Sequence, residues 1–164
     1  MTEISDKYVL LTGGSRGVGP FIAEALAKRG AHVALAARSE EVLHSISETL
    51  RSFSVNTFVV PVDLTQPSER DQLVRRVLEE FGRIDILINN AGLESEGLFM
   101  SLPLEAIRET IELNLVAPME LVHLILPHMV KRQAGHIVNI SSIGGKAGSP
   151  YDAIYCGTKA GLAE

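Results

Sequence analysis

The chain has one cysteine, Cys156, in 164 residues, so no disulfide can close within it, and a lone thiol in a chain of this length suits a reducing compartment. It has no excess of positive charge. Fifteen Lys and Arg stand against twenty Asp and Glu, a net charge of −5, which argues against nucleic acid or an anionic membrane surface as the main partner. It has no basic-then-apolar leader, because Glu3 and Asp6 precede the first short apolar run. Its most apolar later stretch, Val116 to Val130, is interrupted by Pro118, Glu120, His123 and Pro127, and falls short of the roughly 20 apolar residues of a membrane span. The histidines, His32, His44, His123, His128 and His136, have no ligand spacing and no partner cysteines, which argues against a metal site. The expectation is a cytoplasmic protein with no membrane, nucleic-acid or metal partner.

What is present is a globular composition, 46% hydrophobic and 21% charged, in one unit over residues 1–164. Continuous apolar, β-branched runs recur at Tyr8 to Thr12, His32 to Ala36, Thr57 to Val62, Ile84 to Asn89 and His136 to Ile140. Such runs suit parallel strands covered on both faces. Between them lie helical stripes. Phe21, Ile22, Ala25 and Leu26 precede Gly30, and Leu73, Val74, Val77, Leu78 and Phe81 precede Gly82, each pattern ending at a stop-signal glycine. Leu43, Ile46 and Leu50 form a third stripe, and Ile107, Ile111 and Leu115 lead into a segment reaching about Arg132. Strand and helix in alternation predict an α/β fold with a doubly wound parallel sheet.

The loop after the first strand reads Thr12, Gly13, Gly14, Ser15, Arg16, Gly17, Val18, Gly19. Glycine allows positive φ and close approach of backbone to a ligand, and the helix that follows offers free N–H groups and a positive dipole end. That combination suits a diphosphate, with a plain strand-to-helix turn as the bland alternative. An acidic residue about 20 positions on would accept a ribose 2′-hydroxyl. Here Ala36 and Ala37 run into Arg38 instead. Arg38 can pair with a 2′-phosphate, and Arg16 can add a second charge, which favours NADP over NAD. Asp63 ends the third strand, and Asn89, Asn90, Ala91 and Gly92 end the fourth. Each reads as a turn residue or as part of a site. All these loops follow the carboxyl ends of strands, the rim where open α/β sheets bind ligands.

The last rim loop holds Ser141 and Ser142, then Tyr155 and Lys159 four apart, a spacing that stacks both side chains on one helix face. A cation 4 Å from a phenol at an effective dielectric of about 20 is worth about 4 kcal/mol, enough to bring an ordinary phenol from about 10 to near 7. A neighbouring serine hydroxyl can polarise a carbonyl while a nicotinamide delivers hydride. The bland alternative is a helix-face Tyr beside a snorkelling Lys. Cys156 reads as a small interior residue. Glu105, Glu109 and Glu112 read as a solvated helix face, and Glu94 and Glu96 as surface loop or substrate contacts.

Taken together, TGGSRGVG at Thr12 to Gly19, Asp63 with Leu64, NNAG at Asn89 to Gly92, Asn114, ISS ending at Ser142 and YCGTK at Tyr155 to Lys159 resemble the short-chain dehydrogenase/reductase family in its shorter, TGxxxGxG branch. The resemblance covers essentially the whole chain. It implies a Rossmann-like fold and hydride transfer between NAD(P) and a carbonyl or alcohol, with a 3-oxoacyl thioester or small ketone as the commonest substrate. It implies Ser142, Tyr155, Lys159 and Asn114 as the catalytic set, Ser142 being preferred to Ser141 because it lies 13 residues before Tyr155. Tyr155 would be acid or base, Lys159 would also hold the nicotinamide ribose, and Asn114 would hold a water of a proton relay. Cofactor contacts would come from Gly13, Ser15, Arg16, Gly17, Val18, Gly19, Arg38, Asp63 near adenine, Leu64, Asn90, Ala91 and Gly92. The family also implies a homo-oligomer and further chain beyond the YxxxK helix. A chain ending at Glu164 is therefore expected to be cut, with its fold incomplete at the carboxyl end and its fifth strand an open edge. The competing expectation is a short, catalytically silent module that binds nucleotide or partner chains.

Overall fold

The computed structural model describes residues 4–163; Glu3, whose charge entered the reading of the amino terminus, lies outside them. Five strands, β1 (Tyr8–Thr12), β2 (His32–Ala37), β3 (Thr57–Pro61), β4 (Ile86–Asn89) and β5 (His136–Asn139), pair in parallel in the order β3-β2-β1-β4-β5. Leu10 of β1 sits opposite Ala34 of β2 on one side and Leu87 of β4 on the other. The helices are α1 (Gly19–Ala27), α2 (Glu40–Arg51), α3 (Pro67–Phe81), α4 (Leu104–Ile111), α5 (Ala117–Arg132) and α6 (Ala153–Ala163), with a π turn, Glu112–Val116, joining α4 to α5. The predicted doubly wound α/β sheet is the one observed. β3 and β5 stop one residue short of their predicted ends, β4 begins two residues late, and β2 runs one residue longer.

Alternation along each strand sends side chains to two separate cores. Leu10, Ala34, Val60 and Leu87 meet Leu73, Val77, Leu121 and Ile125 of α3 and α5. Val9, Leu11, Val33, Leu35 and Ile88 meet Ala23, Ala27, Leu43 and Leu50 of α1 and α2. α3 starts with Pro67 in its first turn and stops at Gly82, whose φ of +72° gives the left-handed cap that its composition called for. β5 is an edge strand, and His136, Val138 and Asn139 are exposed on it.

One expectation needs correction. Pro118 and Pro127 do not break the apolar stretch, because α4, the π turn and α5 form one continuous helical rod, Leu104–Arg132, that is long and apolar enough by length and composition to cross a membrane. Its Ala117, Leu121, Ile125 and Met129 stripe is buried in the sheet core. Packing of that stripe outweighs the helix-breaking cost of proline, about 3 kcal/mol. Truncating this stripe tests the packing account: Ile125→Ala should cost about 2–5 kcal/mol, read as a lower urea midpoint with an unchanged m-value.

Candidate functional site

β2 and β3 lie on one side of β1, and β4 and β5 on the other. The connections leaving β1 and β4 therefore diverge, and a crevice opens at their carboxyl ends. Thr12, the last residue of β1 and nearly inaccessible, closes its floor. Its Oγ1 accepts from the amides of Asn90 at 3.0 Å and Ala91 at 3.1 Å and donates to Ile88 O at 3.3 Å. Asn90 answers with its Nδ2, which donates to Thr12 O and Gly13 O at 3.0 Å each. Gly13 has φ +66°, and a Cβ there would stand 2.7 Å from Ala91 Cα; a Cβ on Gly19 would overlap the Gly13 carbonyl. Glycine is thus required for the two rim loops to touch. Gly17 has φ +59° and open space around it, leaving room above the start of α1.

Two adjoining clefts flank this clasp. The first is lined by Gly13, Ser15 and Arg16 of the glycine loop, by Arg38 after β2, and by Asp63 and Leu64 after β3. Ala91 and Gly92 close it on the β4 side. Arg16 and Arg38 are exposed, and neither is in an ion pair among the described residues. Asp63 Oδ1 accepts from Thr65 N at 3.0 Å and Thr65 Oγ1 at 2.8 Å, so the turn role and a place in the cleft coexist in one residue.

The second cleft shares Gly13, Arg16, Ala91 and Gly92 with the first and continues past Gly17, Val18 and Asn90 to Tyr155 and Lys159 on α6. Glu94 lines it as well. The Lys159 ammonium lies 5.7 Å from the Tyr155 ring centroid and donates to Ile140 O at 2.8 Å. Lys159 is 4% exposed, and burial pushes its pKa below the ordinary 10.5. The two serines differ in what their hydroxyls do. Ser141 donates to Lys159 O at 3.0 Å, so its proton is committed. Ser142 accepts from Gly144 N at 3.1 Å and keeps its proton free to donate. Ser141 lines the second cleft and Ser142 does not, but Ser142 Oγ and the Tyr155 ring both come within 4 Å of where a Cβ on Gly144 would stand.

Asn114 sits in the π turn, fully buried, facing the same region. Its Oδ1 accepts from Leu93 N and its Nδ2 donates to Leu93 O, both at 2.8 Å, with Thr158 Oγ1 at 3.2 Å. Its amide thus ties the loop after β4 to α6. Cys156 is buried, as its composition suggested. Glu112, read from sequence as part of a solvated face, is half-buried and pairs with buried Arg70 on α3 at 2.8 Å. Arg70 carries no motif, and its only signal in the sequence is a charge at a core position of the α3 stripe, three residues before Leu73.

Known proteins align with this geometry. A family model described as short chain dehydrogenase matches residues 7–164, and the chain belongs to that family. It is 41% identical over 162 residues to the ketoacyl reductase HetN of Nostoc sp., covering 99% of this chain and 56% of that protein. A metagenomic short-chain oxidoreductase solved in complex with NADP superposes with a TM-score of 0.93 at 32% identity, over 99% of this chain and 74% of that one. An NAD+-bound xylitol dehydrogenase superposes with a TM-score of 0.92 at 26% identity, over 98% and 62%. The chain spans about half to two thirds of the length of the first curated relatives it matches.

Replacing Thr12 by Val removes the hydroxyl while keeping the shape, and leaves two amides without their acceptor. The expected loss is about 2 kcal/mol or more in urea unfolding, whereas Thr12→Ser should lose much less. Lys159 gives a pH signature. Its folded pKa lies below its unfolded value, so the buried ammonium costs stability at neutral pH and the cost fades as pH rises through the folded pKa toward 10.5. Lys159→Met lacks this dependence. Its stability relative to the wild type should fall between about pH 7 and about pH 10, measured as the difference in urea midpoints.

Proposed function

We propose that this chain carries the cofactor and catalytic residues of an NADP-preferring oxidoreductase that moves hydride between a nicotinamide and a carbonyl or alcohol, with a 3-oxoacyl thioester or small ketone as substrate. The observation that carries the reading is the continuity of the two clefts, one with the exposed guanidinium groups of Arg16 and Arg38 and the other with Tyr155 and Lys159, around a glycine loop. The residues fit the group they would hold. Gly13 and Gly17 leave the α1 amino terminus open to a diphosphate. Arg38 and Arg16 are free to pair with a 2′-phosphate. Asp63 and Leu64 would flank the adenosine, and Asn90, Ala91 and Gly92 the central part. When bound, the nicotinamide supplies or accepts the hydride.

The protein's own residues handle the proton. Tyr155 would donate its phenolic proton to the substrate oxygen in reduction and take it back in oxidation. The Lys159 ammonium stands near enough to favour the charge that develops on the phenolate. Ser142, with its proton uncommitted, would donate to the substrate oxygen and orient the carbonyl. Asn114 has its amide engaged with Leu93 and Thr158, so its support for a water relay would come from its main chain. The similarity to a ketoacyl reductase and to an NADP-bound oxidoreductase supports the reading; the NAD+-bound neighbour leaves the cofactor choice to Arg16 and Arg38. A cytoplasmic homo-oligomer of one domain, working on small molecules rather than on membranes or nucleic acid, completes the proposal.

NADPH oxidation with a ketone substrate is the direct assay. Tyr155→Phe should lower turnover by about 10²- to 10⁴-fold with NADPH binding kept; equal turnover would refute the mechanism. Arg38→Ala should weaken NADPH binding by about tenfold or more while leaving NADH nearly unchanged. NADPH binding by the wild-type chain without any turnover would favour the silent, nucleotide-binding module.

A further inference from the structure

Arg70 spends a full charge in the interior, on α3, at 0% exposure. Its Nη1 donates to Leu64 O at 3.1 Å and to Glu112 Oε1 at 2.8 Å. Its Nε forms an ion pair with Glu120 Oε2 at 2.9 Å, outside hydrogen-bond alignment, and its Nη2 has no partner among the described residues. Burying an ion is costly, and a well-packed apolar side chain in such a place is often equally or more stable. Stability of α3 therefore gives no reason for an arginine here. The two segments that its Nη1 joins do give one.

Leu64, between Asp63 and Thr65, lines the first cleft. Glu112 opens the π turn, in which the next residue, Leu113, lines the same cleft and the one after, Asn114, clasps Leu93 and Thr158 beneath Tyr155 and Lys159. We propose that Arg70 is a positioning residue that locks the turn between β3 and α3 to the π turn, holding the adenosine-side wall and the support of the Tyr155–Lys159 face in one register. The inference rests on the dinucleotide reading of the groove. Nη1 alone bridges the two segments, donating to Leu64 O and Glu112 Oε1, while Nε of the same rigid plane faces Glu120, so one planar group spans all three sites. Glu112 and Glu120 are themselves partly exposed. Losing Arg70 would return them to water rather than orphan buried charges.

Arg70→Met in the 164-residue chain tests this with two readouts. Without nucleotide, hydrogen exchange should rise together in residues 64–66 and 112–117 while β1 stays as protected as in the wild type. A rise in one segment alone, or in neither, overturns the proposal. Glu112→Ala removes the acceptor, leaves Arg70 in place and should also speed exchange at residues 64–66, which Glu112 does not touch; unchanged exchange there overturns the coupling and decides the matter even where Arg70→Met fails to fold. In titrations, NADPH should bind Arg70→Met about tenfold more weakly, with a urea midpoint at or above the wild type. A lowered midpoint with unchanged affinity would mark a merely structural arginine and refute the positioning role. A wild-type chain that does not bind NADPH would refute the dinucleotide reading instead, and the exchange data would still decide the coupling.

Discussion

The clasp between Thr12 and Asn90 is the contact on which the rest of the groove depends. Parallel pairing of β1 with β4 places two loops side by side while their connections run to opposite sides of the sheet. A sheet that merely paired these strands would leave their final amides and carbonyls unmatched at the rim. One threonine hydroxyl and one asparagine amide satisfy them, with five hydrogen bonds between β1 and β4 and their loops. Gly13 and Gly19 permit the approach that those bonds require. The floor is therefore rigid, while the ligand-facing edge at Arg16, Gly17 and Val18 is exposed.

The walls of the groove are held at a cost. Lys159 buries an amine whose burial favours its neutral form, and Arg70 buries a guanidinium with one nitrogen unpaired among the described residues. Asn114 is buried in a π turn, a rare break in helical geometry associated with functional sites. None of these is what packing alone would select. They lie next to the two clefts, in contrast to the two aliphatic cores on either side of the sheet, where nearly every side chain is one that burial favours.

Much of this was legible in the sequence because it rests on local rules. The β1 limits, the stop at Gly82 and the pairing of Tyr155 with Lys159 follow from strand runs, a left-handed cap and a four-residue helical spacing. The different engagement of Ser141 and Ser142 was not legible from the residues themselves, because it depends on a backbone carbonyl 18 residues away that takes the Ser141 proton. The helical segment reaching Arg132 was legible from its spacing, but its continuity through Pro118 and Pro127 was not, because burial of Leu121 and Ile125 is a tertiary effect that outweighs the local cost of proline. The Arg70–Glu112 pair was not legible for a related reason: its partners lie 42 residues apart on different helices, and no local periodicity reports such a contact. Thr12 stood inside the glycine motif, but its partners are 76 to 79 residues away.

The central claim is that one dinucleotide lies across the β1–β4 crevice, its adenosine end toward Arg38 and its nicotinamide end toward Tyr155. At 17.7 kDa the chain suits backbone amide mapping by NMR during titration with NADPH. The account predicts shifts concentrated at residues 13–19, 38–39, 63–65 and 90–93 together with Tyr155 and Lys159, and little change at the opposite end of the sheet around Tyr8, Asn56 and Phe81. Shifts confined to one of the two clefts, or centred at that opposite end, would contradict it.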